Sequence, residues 1–349
     1  MEVSTIGIDL AKNIFHIHGA DKEGRERFKK KISRDKVLEF MANQPKSLVG
    51  LEACGGAHHW ARELTKLGHT VKLMSPQFVK PYVKTNKNDH KDAEAICEAV
   101  TRPTMKFVPI KTIDQQDILS IHRVRERLVK NRTALANEIR GLLHESGITV
   151  PLRISKIIKH LNDALDGNIL SDMNKETFRA LLEEFNDNNT RVKALEVRLK
   201  QISKNNEMHD KILKIPGIGL ITATVLIASI GNAAHFQDGR QLSAWLGLVP
   251  KQHSTGGKER LLGISKRGDV YLRNLLTHGA RSVFNSRTGK VKKAEDTKTK
   301  ESKFSNWMNN LSARRSYNTS VVAVANKLAG VVYAVLSGNQ EYKEEKVCY

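Results

Sequence analysis

Ile6-Gly7-Ile8-Asp9-Leu10-Ala11-Lys12 is the stretch from which the first third of the chain can be read. Val3 to Ile8 is a short apolar, β-branched run of the kind that forms a buried strand, and it stops on a carboxylate. A second run, Leu48 to Leu51, also stops on an acid, Glu52, which is followed by Ala53-Cys54-Gly55-Gly56. Two further acids, Asp89 and Asp92, stand in Asn86-Lys87-Asn88-Asp89-His90-Lys91-Asp92-Ala93, where a basic loop turns into a helix. Residues three apart on a helix share a face, so this pair can point at one spot. Carboxylates gathered in this way repel one another unless a cation lies between them. Hard divalent ions such as Mg2+ take such oxygens together with substrate phosphates. A pair of ions can hold both the attacking and the leaving oxygen of a phosphoryl displacement. The structural alternative is that Asp caps helices and favours their N-termini, so any one of the four acids says little alone. The ordered set carries more: two acids closing strands, then two opening a helix.

Outward from these motifs, residues 1–102 alternate strand-like and helix-like segments. Strands are expected at Val3–Asp9, Ile14–Gly19, Arg25–Ile32, Leu48–Glu52 and Val71–Ser75. Helices are expected at Asp35–Asn43, His58–Leu67, Gln77–Tyr82 and Asp89–Thr101. The loop histidines His58 and His59, just after Glu52, are candidates to touch substrate or simply to be solvated. Residues 103–113 contain Pro103 and Pro109 and read as a linker.

The 349 residues allow two or three domains. Hydrophobic residues make up 40%, enough for a core, and the net charge of +21 favours an extended polyanion, nucleic acid first, as partner. An anionic membrane surface is the other partner open to a basic chain. No run of about 18 apolar residues stands out and the start resembles no signal peptide, so no membrane insertion is expected. Cys54, Cys97 and Cys348 are far apart and form no CxxC pair, which argues against a zinc site and fits a reducing cytoplasm.

From 114 to 208 the chain is helical with heptad character. Ile121, Leu128, Leu135 and Leu142 recur every seven residues, as do Phe178, Phe185, Val192 and Leu199. The pattern suggests a coiled coil or a long helical hairpin, with Asn131 and Asn188 at seam positions that can fix register.

The last region, 209–349, opens with Leu213-Lys-Ile-Pro-Gly217-Ile-Gly219-Leu-Ile-Thr-Ala, a helix-hairpin-helix signature. Gly217 and Gly219 free backbone N–H groups before a helix N-terminus, where they suit a phosphate oxygen. The alternative is a tight helix–helix turn that uses glycine for its backbone freedom. Further on, Leu246-Gly-Leu-Val-Pro250 leads into a stretch rich in hydroxyls, glycines and cations. Lys251, Lys258, Arg260, Lys266, Arg267 and Arg273 are candidate phosphate clamps, with Lys87 and Lys91 beside the N-terminal acids. A Ser or Thr in this loop can be a nucleophile if an activator lies close. Residues 286–303 read as a polar loop, and Val321–Leu336 as a closing apolar helix.

Together these motifs resemble the DEDD transposases of bacterial insertion sequences, the insertion-sequence one-ten family. The resemblance rests on Gly7-Ile8-Asp9, Leu51-Glu52-Ala53, Asn86 to Ala93, Ile215-Pro-Gly-Ile-Gly219, Leu246 to Pro250 and Ile264-Ser-Lys-Arg-Gly268. His253-Ser-Thr-Gly-Gly-Lys258 looks like the subgroup with a compact glycine-rich loop. The resemblance implies an α/β RuvC-like, RNase H-type N-terminal domain, a helical coiled-coil middle and a mostly helical transposase domain. It implies a cytoplasmic, nucleoid-associated DNA recombinase with donor and target DNA as partners. Some members are directed by a structured bridge RNA, and the two halves of a composite site can come from different protomers of a dimer or tetramer. Asp9, Glu52, Asp89 and Asp92 become ligands of Mg2+ or Mn2+. A serine of the last domain attacks a DNA phosphate and forms a phosphoserine link. An ungapped count from Gly247 places Thr255 at the nucleophile's position, with Ser254 one residue earlier; the primary hydroxyl of Ser254 is the less hindered attacker. The rival expectations are a RuvC-like endonuclease that uses water and a non-catalytic nucleic-acid-binding protein.

Overall fold

The computed structural model describes residues 2–83, 89–204, 206–288, 302–338 and 340–344. Lys87, Cys348 and most of the 286–303 stretch therefore lie outside the described residues. The chain divides into two units, Met1–Thr112 and Ile113–Tyr349.

In the first unit the strands are β1 (Thr5–Asp9), β2 (Ile14–Ala20) and β3 (Glu26–Ser33). Helix α1 (Val37–Ala42), strand β4 (Leu48–Glu52), helix α2 (Ala57–Lys66) and strand β5 (Thr70–Met74) follow. Helices α3 (Pro76–Val79) and α4 (Asp89–Val100) and strand β6 (Phe107–Val108) complete it. Among the described residues these strands form one six-stranded sheet in the order β3-β2-β1-β4-β5-β6. β1, β4 and β5 run parallel, β2 and β3 form an antiparallel meander on β1, and β6 runs antiparallel to β5. Within residues 103–113, read as a linker, Phe107–Val108 supply an edge strand to the sheet. The β2–β3 turn is pinned by buried Asp21, which accepts from the backbone N–H groups of Glu23 (3.0 Å) and Arg25 (2.9 Å) and pairs with Arg27 (2.6 Å).

Strand alternation sorts the side chains onto two faces. Ile6, Ile8, Phe15, Ile17, Val49, Leu51, Val71 and Leu73 meet Val37, Met41, Trp60 and Leu64 from α1 and α2 in one core. The opposite face carries α4, whose Ala95, Ile96, Ala99 and Val100 pack with Met74 and Val79.

The second unit is mostly helical. It comprises α5 (Ile113–Glu145), α6 (Ile157–Asp166), α7 (Asp172–Ser203), α8 (Glu207–Leu213), α9 (Leu220–Ile230) and α10 (Gly239–Trp245). Strands β7 (Pro250–Gln252) and β8 (Leu261–Ile264) pair as a hairpin, and α11 (Val270–Thr288), α12 (Lys303–Arg314) and α13 (Tyr317–Gly338) follow. α7 begins where the Ser171 hydroxyl accepts the Asn174 N–H (3.3 Å), one of the donors a helix start leaves unpaired.

The sevens of the middle region are satisfied inside one chain. Arg125 pairs with Glu196 at 2.6 Å and Arg132 donates to Asn189 at 3.1 Å, so advancing along α5 means retreating along α7: the two helices are antiparallel. Ile121, Leu128 and Leu135 are buried as the spacing predicts, and so are Phe178, Phe185, Val192 and Leu199. Leu142 is 43% exposed, and Ile139 and Leu143 take its place against α6, because a straight 3.6-residue helix drifts out of a strict heptad. Asn131 lies at the surface, so only Asn188 of the two expected seam asparagines is buried. α13, at mean hydropathy 1.6, is long and apolar enough to span a bilayer, which the sequence reading did not expect. Its Val321, Val324, Leu328, Val332 and Val335 are instead buried in the core formed with α8 to α12.

Candidate active site

β1 and β4 pair in parallel with Ile8 opposite Leu51, so the next residues, Asp9 and Glu52, leave the sheet side by side. By alternation Asp9 lies on the face of Gly7, and Glu52 on the face of Gly50. Both glycines meet α4. A Cβ on Gly7 would stand 2.2 Å from the Ala93 carbonyl oxygen and 2.4 Å from the Cys97 nitrogen. On Gly50 it would stand 2.9 Å from Cβ of Val100. The missing side chains let α4 lie directly on the two strands, and its first turn then carries Asp89 and Asp92 over their ends. One oxygen from each of Asp9, Asp89 and Asp92 falls within 4.8 Å of the other two. Asp9 and Asp92 are half-buried and Asp89 is exposed.

Glu52 is not one of that group of three. It stands on the adjacent strand, close enough that, after burial, its charge and then that of Asp9 raise the pKa of the Cys54 thiol. Three carboxylates within one ion's reach, with a fourth beside them, are the hard oxygen donor set that suits Mg2+ or Mn2+.

Sequence reading missed two histidines here. His16 is the β2 partner of Asp9, and its Nδ1 lies 3.9 Å from Oδ2 of Asp89. Its ring meets the edge of His90 at 4.4 Å between centroids. The available signal was the alternation Phe15-His16-Ile17-His18, which places two polar rings on the buried α4 side of a strand. Lys31 and Lys29 pair with His16 and His18 on the outer strand β3. Burial lowers the pKa of His90, and the charges of His16, Lys29 and Lys31 lower it further, so cations flank the acidic group.

His58, a candidate substrate contact, is engaged elsewhere. Its Nδ1 accepts the Lys111 backbone N–H at 3.2 Å, and its Nε2 lies 3.3 Å from the Lys111 ammonium. Burial, then the charges of Lys111 and Arg62, push its pKa down to about 4, so it stays a neutral acceptor that ties α2 to the edge-strand segment.

In the second unit the hydroxyl-rich loop is a β-hairpin. Gln252 pairs with Leu261, the His253 N–H donates to the Arg260 carbonyl (2.9 Å), and Thr255 bridges Lys258. The two residues at its tip, Gly256 (φ 55°) and Gly257 (φ 76°), both have positive φ, as a type I′ turn requires. Residues 251–263 are all exposed, Ser254, Thr255, Lys251, Lys258 and Arg260 among them. The Ser254 hydroxyl accepts from Nε2 of Gln252 at 2.9 Å.

The flanking motifs form the hairpin's base. A Cβ on Gly247 would meet the Arg267 carbonyl at 2.2 Å, and one on Gly268 would meet the Trp245 carbonyl at 2.0 Å. Two turns therefore lock backbone against backbone. Arg273, expected to clamp phosphate, closes that lock instead. It is 7% exposed, and its guanidinium donates to the carbonyls of Leu246 (3.0 Å) and Arg267 (2.8 Å). Lys266 and Arg267 are exposed. Gly217 (φ 82°) sits in the α8–α9 turn with its Cα against α11, where an added Cβ would meet the Gly279 carbonyl at 2.7 Å. Gly219, exposed, precedes the first residue of α9.

Comparison with known proteins matches the parts that carry this chemistry. A transposase family model, the IS110-type DEDD domain, covers residues 6–148. The model described as the transposase IS116/IS110/IS902 family covers residues 209–295. The chain is 45% identical over 346 residues to a probable family 20 transposase of Pseudomonas aeruginosa, covering 98% of this chain and 99% of that one. It is 41% identical over 344 residues to the transposase for insertion sequence element IS1111A of Coxiella burnetii, covering 98% and 92%. It is also 41% identical over 333 residues to the transposase for insertion sequence element IS1328 of Yersinia enterocolitica, covering 95% and 96%. With family matches in both units and relatives aligned nearly end to end, the chain belongs to the IS110/IS116 transposase family and is an enzyme acting on DNA.

Proposed function

We propose that this transposase is a site-specific recombinase that cuts and rejoins DNA through a phosphoserine link on Ser254, directed by a structured RNA of its element. The observation that carries the reading of its chemistry is the convergence of Asp9, Asp89 and Asp92 within 4.8 Å. The strand order, with its antiparallel meander beside a parallel half, supports an RNase H-type scaffold for those acids. Asp9, Asp89, Asp92 and Glu52 would hold a divalent ion, which would neutralise charge on the scissile phosphate.

Ser254 acts from an exposed hairpin that also carries Lys251, Lys258 and Arg260. The Gln252 amide N–H occupies one lone pair of its oxygen and orients the hydroxyl. In the step, Oγ bonds to phosphorus, the bond from phosphorus to the DNA oxygen breaks, and that oxygen leaves with a proton. The phosphoserine keeps the bond energy, so the reverse displacement rejoins strands. Lys87, Lys91, Lys266, Arg267 and the N–H of Gly219 contact phosphates outside the reacting bond, and Gly217 shapes the turn that presents Gly219. The net charge of +21 suits binding DNA and RNA at once. The acids lie in the first unit and the hairpin in the second, and the reading includes a homo-oligomer.

The test is denaturing gel analysis of end-labelled donor DNA after addition of Mg2+, with and without protease. A protease-sensitive DNA adduct that vanishes in Ser254→Ala, with the protein still folded, is expected. An adduct lost only in Thr255→Ala moves the role one residue along. Free ends with no adduct in wild type refute the phosphoserine and leave a water-driven nuclease.

A further inference from the structure

A buried imidazole with one ring nitrogen unpartnered among the described residues stands beside the acidic group. The His16 side chain is nine-tenths buried, and its Nδ1 has no hydrogen-bond partner among the described residues. Leaving such an atom unpaired is costly, so it signals either strain or a partner that arrives with a ligand. Oδ2 of Asp89 lies 3.9 Å from it. That is too long for a hydrogen bond and short enough to close by a small rotation of the carboxylate. Asp89 is the most exposed of the three aspartates, with 65% of its side chain open, and it is the first described residue of α4. Of the three it is the one that most needs an external hold. The His16 backbone is held within β2, paired to Asp9 on one side and Lys31 on the other, and the His90 ring packs against its imidazole.

We propose that His16 is a positioning residue for the metal centre: its Nδ1–H holds one oxygen of Asp89, leaving the other for the ion. The assignment rests on the carboxylates being the metal site. Groups that orient a ligating carboxylate typically change metal affinity by about 10- to 100-fold when removed. His16 does not touch DNA or the reacting phosphate in this scheme; it acts through Asp89.

The experiment measures Mn2+ binding to the full-length protein, without DNA, by the electron paramagnetic resonance signal of free Mn2+. Thermal unfolding is recorded on the same samples. Wild type, His16→Leu, His16→Asn and His16→Gln are compared, with Asp92→Asn as the control for the site. His16→Leu should weaken Mn2+ binding on the order of 10- to 100-fold. His16→Asn, whose amide N–H falls near the position of Nδ1, should recover most of it. His16→Gln, whose amide falls near Nε2, should not. If His16→Leu fails to fold, the contrast between Asn and Gln still decides the matter. Equal binding by Asn and Gln, or wild-type binding by Leu, overturns the assignment and returns His16 to a packing role. Wild-type binding that Asp92→Asn does not weaken overturns the carboxylate site itself, and the positioning role with it. That outcome is distinct from the first, in which Asp92→Asn loses the ion and the His16 variants do not.

Discussion

Gly7→Ala tests how α4 is seated, far more sharply than its one added methyl suggests. The new Cβ would lie 2.2 Å from the Ala93 carbonyl oxygen, 2.4 Å from the Cys97 nitrogen and 2.8 Å from the Cys97 Cα. All three are backbone atoms of one helix, so no side chain can rotate out of the way. To reach even the 3.0 Å floor of real Cβ contacts, α4 must retreat from β1 by about 0.8 Å. Overpacking of this kind costs about 1–3 kcal/mol of stability. The functional effect should be larger, because Asp92 and Asp89 ride on α4 while Asp9 stays on β1. A misplacement of about 1 Å at a reacting centre can cost on the order of 100-fold in rate. The assay pairs urea unfolding with metal-dependent cleavage of supercoiled DNA and with Mn2+ titration. Gly141→Ala is the control, since nothing lies within 4 Å of the place its methyl would take and it stands in the exposed part of α5. Alanine there should stabilise by about 0.5–1 kcal/mol. A Gly7→Ala protein with wild-type unfolding midpoint and wild-type metal response would refute the reasoning.

Two further predictions concern the second unit. Neutralising Lys258, Arg260, Lys266 and Arg267 together should flatten the plot of log binding constant against log salt by about one unit per lost phosphate contact, measured by DNA anisotropy. Arg273→Gln should leave that slope alone and lower stability by roughly 2–3 kcal/mol, because it strips a charged donor from two carbonyls; an altered slope with unchanged stability would reverse these roles. His122 bonds Thr224 (3.0 Å) and Tyr271 (3.2 Å), and burial, then Arg125, push its pKa down to about 4 from 6.5. The folded pKa is the lower one, so the unfolded chain takes the proton first. Stability should fall as pH drops from 6.5 and level off below about 4, by up to roughly 3 kcal/mol from this residue. Urea midpoints at three pH values should show that fall reduced in His122→Gln, and an equal fall in both proteins would dismiss His122 as its source.

The sheet and α4 were legible because their signals are local. Alternation marked β1, β2 and β4, and Asp89 and Asp92 marked the described first turn of α4. What escaped depends on contacts between segments distant in sequence. Nothing local to Gly7 or Gly50 marks them as the glycines on which α4 lies. Arg273 reads as one more cation in a basic stretch until its guanidinium is found between two carbonyls. His16 carries no motif of its own and gains meaning only from the register that sets it beside Asp9. The hairpin is a different case. Gly256-Gly257 is a turn signal in plain view, but its flanks, Gln-His-Ser-Thr and Lys-Glu-Arg, lack the alternating apolar residues that mark strands. The sevens at Ile121, Leu128 and Leu135 and at Phe178, Phe185, Val192 and Leu199 fall on buried residues while Asn131 and Leu142 do not, and they could not state whether the partner helix is in the same chain.

Each short motif in this chain therefore joins two kinds of residue. Gly-Ile-Asp at 7–9 holds one glycine that admits α4 and one carboxylate that meets what α4 brings. Leu246-Gly-Leu-Val-Pro250 and Ser-Lys-Arg-Gly268 each spend a glycine on the backbone lock beneath the hairpin, while Lys266 and Arg267 remain exposed. Gly217 does the same against Gly279, whose own added Cβ would meet the Gly217 carbonyl at 2.1 Å. Because these contacts run backbone to backbone, they fix position without consuming side chains, and the polar groups nearby stay available for phosphate and metal. It follows that substitutions within one motif must separate into two classes. Replacing the glycine moves a supporting element, so stability and activity fall together. Replacing the adjacent carboxylate or exposed cation removes charge alone, so activity or binding falls while the fold persists.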